Sequence, residues 1–542
     1  MNKILNKLKK LFINMKNVFF IIIYCFLILK GNTSNSSYNY SSYSATSTNA
    51  NLSGQTVSST TSGESAVYVT QSGITITNSQ ISKSGDITSS NTEDSEFYGI
   101  NAAVLVQGGG LSITGGTITT SAKGGNAVCA TNSGEVTISG TTITSTGSAS
   151  ARGLHSTYGG KITAENVIVS STGGSCATLA TDRGEGTVTC SSCTLTTEGA
   201  GSPLIYSTGD ITVSGTTGTS NGAQMVVVEG KNSATVQSNS ILKGTGDGNR
   251  EVSGEKIDKC GIFLYQSMSG DADTGTSEFN CKESTLEILS TSSVYNSAPM
   301  FFITNTDSEI NLESCTFTYG SGTFLKAAGT SAWGTTGSNG GDVTLTLKNQ
   351  QIEGDFVVDE SSSLTINMVN SSIKGAINSN KVTSTVTITL DSSSCITLTG
   401  NSYVSSLSNS DITGSNIIKG TYSFADYNGN EYIGTSSGAI TTPTSDSTIT
   451  PTSDSTITPT TDSTITPTTD STITPTTDSA TTPISDSTVT PTTDSTITPT
   501  TDSTTTPTSV PSTKPSNILT SKMKEILILG SSLVGIIILL MC

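Results

Sequence analysis

The chain has 542 residues, of which only 12% are charged and 5% aromatic, and its formal net charge is -17. This charge excludes nucleic acid as an expected partner, because neutralising phosphates requires clustered Lys and Arg. Ser, Thr and Gly dominate, and the apolar residues are largely β-branched Val and Ile, so we expect an all-β protein.

The first 31 residues are predicted to be a signal peptide. A lysine-rich start precedes the apolar run Val18 to Leu29, VFFIIIYCFLIL, which is long enough for a signal-peptide core and short for a membrane span. We therefore expect secretion, with a retained N-terminal anchor as the alternative. Residues 32–65 form a Ser/Asn-rich leader and N-terminal cap. The glycosylation candidates are the five Asn-x-Ser/Thr sequons, at Asn32, Asn35, Asn39, Asn51 and Asn370.

Residues 66–440 form the body of the protein and carry a repeat. The repeat has two apolar residues two apart, which face one side of a strand, and a third apolar residue five further on. It occurs twelve times, with Gly218 in the third place of one copy: Ile74/Ile76/Ile81, Leu111/Ile113/Ile118, Val136/Ile138/Ile143, Ile162/Ala164/Val169, Val188/Cys190/Leu195, Ile211/Val213/Gly218, Ala234/Val236/Ile241, Phe279/Cys281/Leu286, Ile310/Leu312/Phe317, Leu345/Leu347/Ile352, Ile366/Met368/Ile373 and Ile388/Leu390/Cys395.

A bend must separate the second and third apolar residues, since five is an odd number and a straight strand would turn the third outward. The residue at the bend is Asn, Gly or Ser in every copy except one, where it is Glu283. These residue types suit turns. Most copies start 21 to 26 residues apart. The pattern predicts a single-stranded, right-handed parallel β-helix of about twelve coils.

The cysteines of the body include one C-x-x-C pair, Cys190 and Cys193. Cys190, Cys281 and Cys395 occupy inward places of the repeat, where a thiol packs as a small apolar group. A structural zinc site needs a second ligand pair, and the sequence has none nearby, so we expect no metal and no cofactor. Disulfides are expected in a secreted protein, but spacing leaves their pairing open.

Polar and charged residues concentrate in four consecutive coils. As a functional site they would form a sugar-binding or catalytic groove, whereas the alternative is a solvated corner where turn residues pair their charges. His155 is the only histidine of the chain, which excludes a histidine metal cage. The candidate ligand-binding residues are Arg152, His155, Tyr158, Asp182, Arg183, Glu185, Glu229 and Lys231, with Tyr206 and Asp210 nearby.

The C-terminal part predicts a stalk and an anchor. From Pro443 to Pro507 a proline recurs every eight residues in units such as PTTDSTIT, so residues 441–516 should be an extended, disordered and O-glycosylated stalk. Residues 517–542 end in an uncharged apolar run without basic residues after it. This arrangement favours a glycolipid-anchor signal attached at Ser516 or Asn517, with a transmembrane segment as the alternative. Both place the protein at a membrane.

The coil pattern of residues 66 to about 400 resembles the pectin-lyase-like fold, which hosts polysaccharide-cleaving enzymes and surface adhesins. Enzymes of that fold typically use closely spaced carboxylates in a groove, whereas the strands here carry mostly Thr and Ser, so we assign no catalytic residue. The arrangement of parts is also similar to anchored cell-wall adhesins. We expect an extracellular, membrane-anchored adhesin that recognises glycans or another surface ligand. A polysaccharide lyase or glycoside hydrolase is the alternative, and ice binding by Thr rows ranks last.

Overall fold

The computed structural model describes residues 43–88 and 92–435, and nearly all of their regular structure is β-strand. The strands stack in three long sheets, named A, B and C here, and each coil of the chain contributes strands to them in turn. All neighbouring strands within these sheets are parallel. The predicted parallel β-helix is therefore confirmed. The predicted signal peptide, stalk and anchor lie outside the described residues.

Sheets A, B and C contain 12, 14 and 10 strands. Sheet A consists of β1 Ser44–Thr48, β4 Glu64–Val69, β7 Val104–Gln107, β10 Val128–Thr131, β13 Leu154–Ser156, β16 Leu179–Thr181, β19 Ile205–Ser207, β22 Val226–Glu229, β27 Ile262–Tyr265, β30 Phe301–Thr304, β33 Thr323–Ala327 and β36 Asp355–Val358. Sheet B consists of β2 Leu52–Ser53, β5 Ile74–Thr77, β8 Gly110–Thr114, β11 Glu135–Ser139, β14 Lys161–Glu165, β17 Thr187–Ser191, β20 Asp210–Ser214, β23 Ser233–Gln237, β28 Ser277–Lys282, β31 Thr306–Glu313, β34 Gly341–Lys348, β37 Ser363–Val369, β39 Thr385–Leu390 and β42 Ser406–Asn409. Sheet C consists of β3 Thr56–Ser59, β6 Gln80–Lys83, β9 Thr117–Thr120, β12 Thr142–Ser145, β15 Ile168–Ser171, β18 Thr194–Thr197, β21 Thr217–Ser220, β24 Ile241–Gly244, β29 Thr285–Ile288 and β32 Thr316–Thr318.

Smaller elements complete the described residues. A four-stranded parallel sheet follows sheet C in the later coils, with strands β35 Gln351–Glu353, β38 Ser372–Gly375, β40 Cys395–Leu398 and β43 Ile417–Ile418. The loop between β24 and β27 contains an antiparallel pair, β25 Glu251–Val252 and β26 Glu255–Lys256. Two further strands pair near the C-terminal end, β41 Ser402–Tyr403 and β44 Phe424–Ala425. The helix α1, Thr92–Tyr98, lies between β6 and β7.

The twelve predicted repeat copies coincide with the strands of sheet B from β5 to β39. In all twelve, both of the first two apolar residues are buried, and the residues between them face outward. Sheet B has one more strand at each end, β2 and β42. Residues 44–59, which the sequence analysis placed in the leader and cap, form the first described coil. The sequon residue Asn51 is exposed there, and Asn370 is half-buried.

The predicted bends are confirmed in eleven of the twelve copies, because the residue at the bend has a positive φ between 46° and 64°. The exception is Ser392. There the turn is longer, and the Asp391 carboxylate accepts hydrogen bonds from the hydroxyls of Ser393 and Ser394. The prediction that Cys395 fills the third apolar place was therefore wrong: Ile396 lies opposite Ile373 of the coil before it.

A second register prediction was also wrong, at Ile241. Ser238 and Asn239 both have positive φ, which lengthens this bend by one residue. As a result Ile241 is 40% exposed, and Leu242 takes the inward place. Leu242 lies opposite Gly218, whose missing side chain leaves room for Leu204: its Cδ1 lies 2.6 Å from where a Cβ of residue 218 would stand.

The bend at Asn166 allows a direct test of the repeat. Asn166 is exposed, has φ 53°, and donates its backbone N–H to the carbonyl of Ser191 in the next coil. A β-branched residue is strained in this left-handed conformation, whereas glycine is not. We expect Asn166→Val to lower the free energy of unfolding by about 1–2 kcal/mol and Asn166→Gly to change it by a few tenths. Equal effects of both substitutions in urea unfolding would contradict the bend.

The C-x-x-C pair, Cys190 and Cys193, forms a disulfide across a bend, and a second disulfide joins Cys281 to Cys315 in the next coil. Cys190 is fully buried, as predicted for its inward place. The remaining described cysteines are buried free thiols, and burial raises the pKa of each: Cys129, Cys176, Cys260 and Cys395.

Candidate functional site

The outer face of sheet A is covered by other segments, which distinguishes it from the outer faces of sheets B and C. Strands such as β11 alternate buried and exposed residues, whereas β10, β22 and β30 are buried at every position. The covering segments are α1 and the loops 245–261, 266–276 and 328–340. A site on this face is therefore built from outward strand residues below and loop residues above.

Three of the predicted site residues form a buried cluster under α1. Arg152 Nη1 donates to Asp182 Oδ2 at 2.6 Å and lies 3.3 Å from His155 Nε2. His155 Nε2 is 2.7 Å from the carbonyl oxygen of Glu96 in α1. Burial, reinforced by the charge of Arg152, lowers the pKa of His155 well below its usual value. The neutral ring therefore donates to Glu96 and fixes the helix on the sheet.

The Asp182 carboxyl predicts a pH dependence of stability. Burial raises its pKa to about 6, against the opposing charge of Arg152. The folded state therefore binds this proton more tightly than the unfolded state does. As a result, Asp182 adds most to the free energy of unfolding at low pH, and this stabilisation is lost as the pH rises from about 4 to 6. Relative to Asp182→Asn, which cannot titrate, we expect the free energy of unfolding of the wild type to decline across this window. Parallel pH curves of urea unfolding for the two proteins would contradict the assignment.

Two further predicted residues hold the covering segments in place. Arg183 Nη2 pairs with Asp271 Oδ1 of loop 266–276 at 2.6 Å, and its guanidinium lies 3.8 Å from the ring centroid of Phe97 in α1. Tyr158 stacks on Tyr98 of the same helix, with 5.4 Å between ring centroids. The side chains of Arg183 and Tyr158, which were predicted to bind a ligand, are therefore in contact with other residues of the protein.

Glu185 and Lys231 form an exposed ion pair of the kind that the solvated-corner alternative describes. Lys231 Nζ lies 2.9 Å from Glu185 Oε1 and 3.2 Å from Asp273 Oδ2. Their side chains are 43% to 77% exposed, so these pairs add little to stability. Through Asp273, Lys231 contacts the exposed edge of loop 266–276.

Glu229 is buried and accepts hydrogen bonds from two tyrosines. Both Tyr206 and Tyr265 donate their hydroxyls to Glu229 Oε2 at 2.7 Å. Burial first, and then nearby negative charge, raises the pKa of both phenols well above the usual value, so they remain donors. Glu229 therefore fixes the orientation of two aromatic rings that border an open cleft.

This opening, which we call the aromatic cleft, has a volume of about 320 Å³ on the outer face of sheet A. Phe263 stacks on Tyr265 with 4.5 Å between centroids, and Trp333 lies 5.1 Å from Tyr265 and 5.5 Å from Phe263. Two arginines border the rings. Arg152 lies 5.7 Å from the centroid of Tyr206, and Arg250 lies 5.8 Å from that of Trp333.

The loops above the aromatic cleft are held by polar side chains. The Asp258 carboxylate accepts the backbone N–H groups of Asn249 and Arg250 at 3.2 and 2.9 Å, which fixes the start of the hairpin loop. Asn339 donates its amide to the carbonyl oxygens of Thr330 and Trp333 at 2.5 and 2.6 Å. Arg250 and Trp333 are thereby positioned over sheet A.

Three of the rarest side chains of the chain line the aromatic cleft. The sequence contains three arginines, one histidine and one tryptophan. Arg152, Arg250 and Trp333 line the cleft, His155 contacts Arg152, and Arg183 follows Asp182 in sequence. Arg152 and Tyr206 were predicted from the sequence, whereas Arg250, Phe263 and Trp333 were not. The rarity of Arg and Trp was the available signal.

The lining of the aromatic cleft is poor in carboxylates. Of the described residues, Asp258 alone contributes a carboxylate to its lining, and that carboxylate already accepts two backbone N–H groups. Glycoside hydrolysis by the common mechanism uses two carboxyl groups on either side of the bond. Within residues 43–88 and 92–435, no group of three or more His, Cys, Asp or Glu side chains could hold a metal ion.

Comparison with protein-family models, curated proteins and solved structures gives no match for this chain. In the part of the chain that the structure describes, no helix is long and apolar enough to cross a membrane.

Proposed function

We propose that the protein is an adhesin, secreted and tethered to the cell surface by its C-terminal segment, which binds glycans in the aromatic cleft. The observation that carries this proposal is the cleft itself, where Tyr206, Tyr265 and Trp333 meet two arginines above the buried ring of Phe263. The signal peptide, stalk and anchor predicted from the sequence support the location, since they would display the β-helix outside the cell.

Aromatic faces and a few fixed polar groups suit a sugar. The C–H groups on one face of a pyranose ring pack on an aromatic ring, and its hydroxyls require hydrogen-bond partners at the edge. Tyr206 and Tyr265 are held by Glu229, and Trp333 lies in loop 328–340, where its carbonyl oxygen accepts a hydrogen bond from Asn339. Such a pre-ordered surface binds with a smaller entropic cost than a mobile one.

A glycan array with the detergent-solubilised full chain tests the proposal. We expect selective binding to a small set of glycans in the wild type and at least a tenfold weaker affinity in Trp333→Ala, because the largest aromatic face is lost. Tyr422→Ala is the matched control, since Tyr422 is a 40% exposed aromatic residue outside the lining of the aromatic cleft. It should bind like the wild type.

Two results would overturn the proposal: binding to no glycan, or equal loss in Trp333→Ala and Tyr422→Ala. The alternative of a polysaccharide lyase or hydrolase is tested on the same preparation. Incubation with pectin, xylan and related polymers should release neither reducing ends nor unsaturated products.

A further inference from the structure

We propose that the glycan ends in a sugar that bears a carboxylate, and that Arg250 binds this carboxylate while the aromatic rings hold the sugar ring. This inference rests on the proposed function. It adds the chemical class of the ligand and the residue that selects it.

Arg250 is a guanidinium without a protein counter-ion. It is exposed, and among the described residues no carboxylate lies within 4.0 Å of its side chain. Asp258, the one acidic residue of the lining, accepts a hydrogen bond from the backbone N–H of Arg250 and not from its side chain. The planar fork of a guanidinium matches a carboxylate with two parallel hydrogen bonds.

The charge of the aromatic cleft contrasts with that of the whole chain. The protein carries a formal net charge of -17, yet the cleft lining holds Arg152 and Arg250 against one acidic side chain, Asp258. The Asp258 carboxylate is already bonded to the backbone N–H groups of Asn249 and Arg250. Arg152 is already paired with Asp182, so Arg250 is the cation that remains available to a ligand.

The size of the aromatic cleft favours the end of a glycan. Its volume of about 320 Å³ is at the lower limit of small-molecule sites, which span roughly 300–1,000 Å³. The loops 245–261 and 328–340 bound it above sheet A. A terminal sugar with one neighbour fits this volume, whereas a longer stretch of polymer exceeds it.

The test uses an array of glycans that end in sialic acid, glucuronic acid or galacturonic acid, each beside its methyl ester. The ester keeps the shape of the sugar and removes the charge. We expect the wild type to bind an acid at least tenfold more tightly than its ester, and Arg250→Ala to bind the acid and the ester with similar affinity. Arg250→Lys should restore part of the difference, since it keeps the charge and loses the fork. Lys256→Ala is the matched control, because it removes a positive charge from the same loop.

The outcomes separate the two proposals. Equal affinity for acids and esters, or a normal preference for acids in Arg250→Ala, would overturn the carboxylate inference and leave glycan binding intact. A loss of acid binding in Lys256→Ala as large as in Arg250→Ala would also overturn it, because general charge attraction would then be responsible. Binding to no member of the array, acidic or neutral, would remove the proposed function itself.

Discussion

Replacing Phe301 with alanine should lower the free energy of unfolding by about 3–5 kcal/mol. Phe301 is fully buried in β30, and its ring centroid lies 5.3 Å from that of Phe324, 5.5 Å from Phe279 and 5.8 Å from Phe317. These rings come from three consecutive coils. The substitution therefore leaves a cavity, and the strands around it cannot move in to fill it because each is hydrogen-bonded to the strands of the coils above and below. Urea unfolding followed by circular dichroism measures the change.

The control for this prediction is Ile168→Ala. Ile168 is equally apolar but 50% exposed, on the outer face of β15, and its removal should change the free energy of unfolding by no more than about 0.5 kcal/mol. If Phe301→Ala and Ile168→Ala had similar effects, the interior position of the repeat's apolar side chains would be contradicted.

Replacing Asp182 with leucine should destabilise the protein by about 3–5 kcal/mol at neutral pH. The ion pair of Asp182 with Arg152 is buried, with side-chain exposures of 5% and 9%. Leucine leaves the buried Arg152 guanidinium and the backbone N–H of Arg183 without the oxygens that accept their hydrogen bonds, and the neutral His155 gives no compensation. Protonation of Asp182 at low pH has no such cost, because the carboxyl group still offers an acceptor oxygen. The thermal midpoint and urea unfolding at pH 7.5 measure the loss.

The double variant Arg152→Met/Asp182→Leu distinguishes the unpaired charge from a packing defect. Because an apolar pair of similar size can replace a buried ion pair with little cost, we expect the double variant to recover most of the stability. A double variant as unstable as Asp182→Leu alone would show that the charge is not the cause.

The repeat could be predicted from the sequence because its geometry is local. Two inward residues on a strand and a bend residue such as Asn166 lie within five positions, and the same pattern recurs in twelve coils. The predicted inward positions of Ile241 and Cys395 were wrong for the same reason. In both copies the bend is one residue longer than in the other repeats. Asn239 is a second residue with positive φ in the first case, and Asp391 builds a hydrogen-bonded turn in the second.

The site was less predictable, because it depends on loops far apart in sequence. Arg152 and Trp333 are separated by 181 positions and line one cleft. The sequence located the polar coils, but it could not show that Asp182 and Glu229 are buried under α1 and the loops rather than facing solvent. The residues that face the opening, such as Arg250, lie in loops without a repeat pattern.

The fluorescence of Trp333 tests the central claim most directly, because it is the only tryptophan of the chain and lines the aromatic cleft. Titration of the full chain with its best-binding glycan should change the emission in a saturable way, with the same dissociation constant that calorimetry gives. A glycan that binds by calorimetry and leaves the emission of Trp333 unchanged at saturation would place the binding site elsewhere and contradict this account.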